Sequence, residues 1–318
     1  MLPSLASILS RLRLKHMQLL VAIEDHDSLH KAAKSISISQ PGATKALHEI
    51  EAFIGMSLFE RTSKGMVATE AGRCITRYSR LICNDMAHMR EEIAGIIEGA
   101  GGHISVGAVM GAMPLLTHAV HEVRSEHPTL SVEIFEDNSG NLMTQLAQGR
   151  LDIAICRPAM GSKLSTTVSL PCNEEPIAVV AQTKHPLAGA SELDFADLAG
   201  YPWVLYTAHM PMRHSIEREL QQAGQGPVAH ALETSSALAT IMLLQQDPNL
   251  VAAMPDDVAR FFAQNHLVAL LDVEVTSPMS AYDIVKRQGA QLTPAAHLLI
   301  AQLYLGVGKA YHPADWQG

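Results

Sequence analysis

Between residues 28 and 54 the apolar positions recur at helical period, with one interruption. Ala43, Leu47, Ile50 and Ile54 return every three or four residues and form a stripe to bury. Gln40, Thr44, Lys45 and His48 fall on the opposite side. Upstream, Ser28 can cap a helix running to Ile36, because a serine hydroxyl accepts an otherwise orphan amide hydrogen bond. Ala32 and Ala33, in the middle of that helix, leave room for a second helix to approach. Ser39 offers a second cap, and Pro41 lies in the following first turn, where its missing N–H costs nothing. The segment is expected to be two short helices joined by a tight turn. In that layout one helix braces while the next enters the DNA major groove. An ordinary amphipathic pair with a solvated polar face has the same spacing.

The pattern then changes twice. From Thr69 to Glu98, Ile75, Ser79, Ile82, Met86, Met89, Ile93 and Ile96 alternate four and three apart, a heptad seam with one polar member. Arg77, Arg80, Asp85, Arg90, Glu91 and Glu92 flank it, so one stripe alone asks for burial. One long helix is expected, pairing with a second copy through Ile75, Ile82, Met86, Met89, Ile93 and Ile96. A helix packed on its own domain is the plainer alternative. Gly99, Gly101 and Gly102 end the run.

From His103 strands alternate with helices. HISVGAVM, TLSVEIFED, LDIAIC, EPIAVVAQ, WVLYT, NLVAAMP and Met279 to Lys286 read as strands. Helices are expected over Pro114 to His127, GNLMTQLAQG, Arg213 to Ala223 and Pro294 to Tyr304. Such repeats indicate a parallel sheet with helices on its faces.

Several short blocks stand in a telling order. They are Ala32-Ala33, Ser39-Gln40-Pro41-Gly42-Ala43-Thr44, Leu58-Phe59-Glu60-Arg61 and Ala68-Thr69-Glu70-Ala71-Gly72. From about Leu12 to Thr76 the chain resembles the N-terminal domain of LysR-type transcriptional regulators. Gly42, Thr44 and Ala68 depart from the usual Ala, Ser and Leu. Gly42 loosens the helix by up to about 1 kcal/mol relative to Ala. Later echoes, HPTLSVEI and QLAQGRLDIAI, extend the resemblance to the family's effector domain.

The resemblance implies an α/β protein with a winged helix-turn-helix head dominated by helices, a long linker helix and a two-lobed effector domain of the type 2 periplasmic-binding kind. The expected boundaries are 12–72 for the head, 69–99 for the linker, 103–173 with 280–306 for one lobe and 174–279 for the other. It also implies double-stranded promoter DNA, RNA polymerase and a small-molecule effector as partners, and homodimers assembling to homotetramers. DNA contacts are expected from Ser39, Gln40, Pro41, Thr44, Lys45 and His48, with Arg61 and Lys64 on phosphates in the wing.

Two α/β lobes leave a cleft, and ligands bind such clefts near strand C-termini and helix N-termini. The candidates are Val109, Met110 and Gly111 after the first strand, and Asn138 and Ser139 after the second. Tyr206 and Thr207 close a strand, and Thr234 and Ser235 are expected to open a helix. Free amides at a helix N-terminus favour an anion, and Arg157 could hold a carboxylate bidentately, so an anionic metabolite is one expectation. A salt bridge for Arg157, and helix capping for the Ser, Thr and Asn residues, are the alternatives.

Charge sharpens this division. Residues 1–80 hold 11 Lys and Arg against 7 Asp and Glu, whereas the remainder hold 12 against 25, within a net −9. A basic end on an acidic body fits a DNA-binding head. No apolar run is long enough to span a bilayer, and the opening segment is not a secretory signal, so a cytoplasmic protein is expected. Cys74, Cys83, Cys156 and Cys172 lack CxxC spacing, which suggests reduced thiols. Among 16 histidines, His118 and His121 share a helix face without a further ligand at a useful offset, so neither a metal nor a cofactor is expected. No nucleophile elbow, P-loop or HExxH motif is present. Two readings stay open: a ligand-binding or enzymatic two-lobed module with an N-terminal oligomerisation arm, and a cysteine-based redox-sensing regulator.

Overall fold

Caps place the N-terminal helices. In the computed structural model, which describes residues 3–63, 65–98, 102–158, 167–208, 210–226, 228, 231–277 and 279–316, side chains at 91, 92 and 94–98 excepted, α1 spans Leu5–Arg11 and α2 Leu14–His26. Helix α3 (Leu29–Ser35) starts where Ser28 Oγ accepts from Lys31 N, and α4 (Gln40–Ile54) where Ser39 Oγ accepts from Gly42 N at 3.2 Å. Ser37, in the left-handed region at φ 58°, makes the turn between them. A β-hairpin follows, β1 (Phe59–Thr62) antiparallel to β2 (Gly65–Ala68). Thr69 Oγ1 accepts from Gly72 N at 3.0 Å and opens α5 (Glu70–Glu98). The core of this part is Leu19, Leu20 and Ile23 of α2, Ala32 and Ala33 of α3, the α4 stripe, and Leu58 and Phe59. Helix α1 was not foreseen, and it precedes the expected head.

The remaining elements build two mixed sheets. They are β3 (Gly102–Ala108), α6 (Met113–Glu126), β4 (Leu130–Glu136), α7 (Ser139–Ala147), β5 (Ile153–Cys156), β6 (Thr167–Asn173), β7 (Ile177–Ala181), β8 (Trp203–Leu205), α8 (Pro211–Gln222), β9 (Leu232–Glu233), α9 (Ala237–Gln246), β10 (Val251–Pro255), α10 (Asp256–Gln264), β11 (Ala269–Leu270), β12 (Tyr282–Arg287) and α11 (Pro294–Gly306). One sheet runs β4-β3-β5-β12-β6 and the other β11-β7-β10-β8-β9. Strand β3 is parallel to β5, and β10 to β8, as strand-helix-strand order requires. The parallel pairing expected from the strand-helix repeats is found in part, since β12 runs antiparallel to β5 and β6, and β7 antiparallel to β10 and β11. Strand β12 returns from the second sheet to the first, so its direction is set by where the chain re-enters. It starts at Tyr282, not Met279.

The chain clusters into two compact units, one of Met1–Ile104, Thr129–Ser131 and Thr144–Asp152, the other of Ser105–Pro128, Val132–Met143 and Ile153–Gly318. Within the first, the buried guanidinium of Arg80 joins α5 to α2 through Glu24 at 2.9 Å and Asp25 at 2.7 Å. Burial alone would raise the Asp25 carboxyl, but hydrogen bonds and charge from Arg80, with the charge of Arg150, hold it below the ordinary aspartate value. In the second unit, Val179, Leu205, Ile216 and Val251 lie in one apolar cluster and Val180, Leu244, Ala252 and Val268 in another. Both faces of the β7–β10 pair are therefore buried, which explains the unbroken apolar run of NLVAAMP.

Candidate functional sites: a polar helix face and a cavity at the strand ends

The buried stripe on α4 leaves its other side to solvent. Lys45 and His48 are exposed, joined only loosely to Glu49 at 3.8 Å and Glu51 at 3.9 Å. Gln40 Oε1 lies 3.2 Å from His30 Nδ1, and Thr44 Oγ1 donates to the Gln40 carbonyl at 3.0 Å. Ser39 and Pro41 start the same helix. Glu51 ties α4 to the hairpin: its Oε1 accepts from Leu58 N at 2.8 Å and Phe59 N at 3.3 Å. Arg61 on β1 is exposed. Lys64, expected beside it, lies outside the described residues.

The six seam residues do not share one fate. Ile75 packs against the head's own core, and the seam position Ser79 is buried. Ile82, Met86, Met89 and Ile93 stay 42–48% exposed along α5. The side chain of Ile96 lies outside the described residues. The seam available to a second copy therefore starts at Ile82.

In the second unit, three strand ends are tied together. Val109 N–H donates to the Ile155 carbonyl at 2.9 Å, Asp137 N–H to the Ala108 carbonyl at 3.3 Å, and Arg157 N–H to Ser139 Oγ at 3.1 Å. Facing them is the end of β8, where Arg213 Nη1, from α8, donates to the Tyr206 carbonyl at 3.1 Å and to Glu233 at 3.0 Å. A cavity of about 1120 Å³ opens there. Of the candidates named from the sequence, Val109, Met110, Gly111, Asn138, Ser139, Arg157, Tyr206, Thr207 and Ser235 line it.

Thr234 does not line it. Its N–H goes to the Leu205 carbonyl at 3.0 Å and its hydroxyl accepts from Ser236 N at 3.1 Å. Helix α9 is opened by Ser236, not by Thr234 or Ser235.

Arg157 forms an ion pair with the buried Glu175 and donates Nε to the Ser280 carbonyl at 2.7 Å. Of the two roles open to it, the internal salt bridge is the one occupied. Gly111 makes this arrangement possible, because a Cβ there would run into the Glu175 carboxylate. Sequence reasoning missed Glu136, Asp137, Glu175 and Asp283 and the methionines 210, 212 and 279, which line the same space as Met110. The signal that could have found two of them is the acidic pair Glu136-Asp137 directly before Asn138.

Burial pushes the Cys156 thiol up to about 12 and the Cys172 thiol up to about 11. Cys83 is also raised by burial, whereas Cys74 is exposed. Thiolates are the reactive species, so the two cysteines of the second unit are poor redox switches. Among the described residues no group of three or more His, Cys, Asp or Glu is arranged to hold a metal. No described helix is long and apolar enough to cross a membrane.

A winged helix-turn-helix preceding a domain with a cavity at its strand ends defines a ligand-responsive DNA-binding regulator. The comparisons agree. Residues 14–73 match the bacterial regulatory helix-turn-helix proteins of the lysR family, and residues 98–304 match the LysR substrate binding domain. The chain belongs to the LysR family of transcriptional regulators, and it is a regulator rather than an enzyme. It is 27% identical over 296 residues to the HTH-type transcriptional regulator GbpR of Azospirillum brasilense, across 92% of this chain and 86% of that one. It is 25% identical over 288 residues to TdcA of Escherichia coli K12, across 90% of each. Its fold is similar to that of a full-length OxyR variant from Pseudomonas aeruginosa, with TM-score 0.66, 20% identity and coverage of 92% and 95%. CbnR, a LysR family regulator, gives TM-score 0.66 at 16% identity, with coverage of 92% and 99%.

Proposed function

We propose that the chain is a cytoplasmic bacterial regulator that binds promoter DNA as a dimer of winged heads and is switched by an effector in the cavity of its second unit. The head extends over 12–72 and the linker over 69–99. One lobe of the effector domain comprises 103–173 with 280–306, and the other 174–279. Gln40, Thr44, Lys45 and His48 probe base edges, Ser39 and Pro41 meet the DNA at the start of the same helix, and Arg61 and Lys64 set the register on phosphates. Dimers form along Ile82, Met86, Met89 and Ile93, continue through Ile96 and pair into tetramers. The effector favours one arrangement, by binding it better, and so alters contact with RNA polymerase.

The observation that carries this reading is the solvent-facing polar side of α4, where Lys45 and His48 stand exposed with carboxylates no nearer than 3.8 Å and 3.9 Å, together with the exposed Arg61 of the hairpin. Fluorescence anisotropy of the full chain on its own promoter region tests it. Gln40→Ala should erode the preference for operator over random DNA. Lys64→Ala should weaken both and reduce the salt slope by about 1. Equal losses on both DNAs from Gln40→Ala would remove that residue from base reading. Absence of salt-sensitive binding by the wild type would sink the regulator mechanism.

A further inference from the structure

Among the described residues around the cavity stand four carboxylates, Glu136, Asp137, Glu175 and Asp283, against the single cation Arg157. The cation and the helix end that would grip an anion there already serve the protein. Arg157 is engaged by Glu175 and by the Ser280 carbonyl. At the start of α7, Asn138 Oδ1 accepts from Asn141 N at 3.0 Å. The adjacent Asp137 carboxylate accepts from Asn138 N at 2.8 Å, already placing a negative charge at that helix end. Ser139 Oγ holds the Arg157 amide at 3.1 Å. To reach Arg157 a ligand carboxylate would have to displace an internal acceptor, and it would meet further carboxylates for which the described lining residues supply no second cation. The anionic metabolite suggested by helix N-termini and by Arg157 is therefore disfavoured.

The opposite polarity is well provided for. The exposed Glu136 lines the cavity with Tyr206, which is 6% exposed and whose phenol is pushed up by burial first and by the Glu136 charge second. The Tyr206 hydroxyl donates to Met110 Sδ at 3.1 Å, and its oxygen accepts no hydrogen bond among the described residues. Met110, Met210, Met212 and Met279 add polarizable apolar walls that adapt to an irregular body. An aromatic ring beside them attracts cations on its face.

We propose that the cavity selects an organic cation, a primary amine or guanidinium on an apolar body, with its charged head between the Glu136 carboxylate and the Tyr206 oxygen and its body against the four methionines. The assignment rests on the cavity being the effector site. The ammonium donates to both oxygens, and no internal ion pair has to break.

Calorimetric titration of the full chain, in amine-free buffer, tests this with probes matched in skeleton: phenethylamine against 3-phenylpropionate, and agmatine against 5-aminopentanoate and glutarate. The amines are expected to bind, and Glu136→Gln to weaken them about tenfold, the scale of one charge-assisted hydrogen bond. Tyr206→Phe should weaken them less. Glu126→Gln, an exposed acid on α6, should leave them unchanged. Ser235→Trp, which fills the cavity, should abolish them.

Tighter binding of the carboxylates, lost in Ser235→Trp, would overturn the choice of charge while leaving the cavity as effector site. Amine binding indifferent to both Glu136→Gln and Ser235→Trp would be attraction to an acidic surface and would overturn the proposal. So would failure of every amine to bind. If, in addition, no metabolite altered operator affinity, the effector reading itself would fall.

Discussion

Two glycines decide how closely the hairpin and the linker helix approach the rest of the head. A Cβ on Gly72 would run into the carbonyl of Leu58, the same carbonyl that takes the Thr69 N–H at 2.9 Å. A Cβ on Gly65, at φ 123°, would meet the carbonyl of Asp27, which takes the Met66 N–H at 2.9 Å. Both obstacles are backbone, so no rotamer change relieves them. Gly72→Ala is expected to cost about 1–3 kcal/mol of stability, the range for overpacking a fixed site. Urea denaturation followed by circular dichroism checks it, with the midpoint falling and operator binding weakening in proportion to the unfolded fraction. An unchanged midpoint would mean that α5 can slide on its neighbour. The cysteines make the complementary point about burial. Cys156 and Cys172 have the residue type of a redox sensor, but their surroundings keep the thiols protonated at neutral pH.

Among the elements, α4 was legible because period, cap and first-turn proline all agreed, and the structure starts and ends it where those signals fall. The linker helix was legible in extent, yet its seam was read about two turns too long. Periodicity states that a stripe wants burial and is silent about the partner, and Ile75 finds its partner inside the head. Strand direction was illegible for the same kind of reason. The apolar pattern of β12 would serve a parallel or an antiparallel neighbour equally well. The cavity's position could be read from strand ends, but its charge could not. That charge depends on an ion pair between Arg157 and Glu175, closed by the folding of separate loops. The exposed part of the seam supports a prediction at this scale. Burying the remaining exposed half of an Ile or Met side chain contributes roughly 1 kcal/mol. Four from each helix give a total of the same order as the cost of association, about 4–15 kcal/mol. The seam alone is thus marginal, and a charge in it should be decisive. Met86→Glu is expected to raise the dimer dissociation constant by about 10²-fold or more, because it leaves a carboxylate in an apolar contact. Sedimentation velocity over a concentration series measures this. A dimer as tight as wild type would place the pairing surface elsewhere.

At the scale of the whole molecule, charge and switching are linked. The first 80 residues carry four more positive than negative charges, and the rest carry thirteen more negative than positive. Outside the Debye length of about 8 Å at physiological salt the acidic part matters little to DNA. Within it, that part opposes non-specific binding, so affinity must come from heads held in register. An effector then acts by changing which registers are accessible. It can do so only through a difference in its own affinity for the two states. Coupling between two binding equilibria is reciprocal, so a ligand that tightens operator binding by some factor is itself bound more tightly on operator by that factor, typically about 5–150-fold. The cavity ligand's dissociation constant, measured calorimetrically on free and on operator-bound protein, should therefore differ by the same ratio as the operator's with and without ligand. Equal ratios of either sign would establish that the cavity works through DNA affinity and would also distinguish activation from repression at binding. A ligand that changes transcription while both ratios stay at unity would place its action after DNA binding, in the contact with polymerase, and the two-state coupling would be wrong.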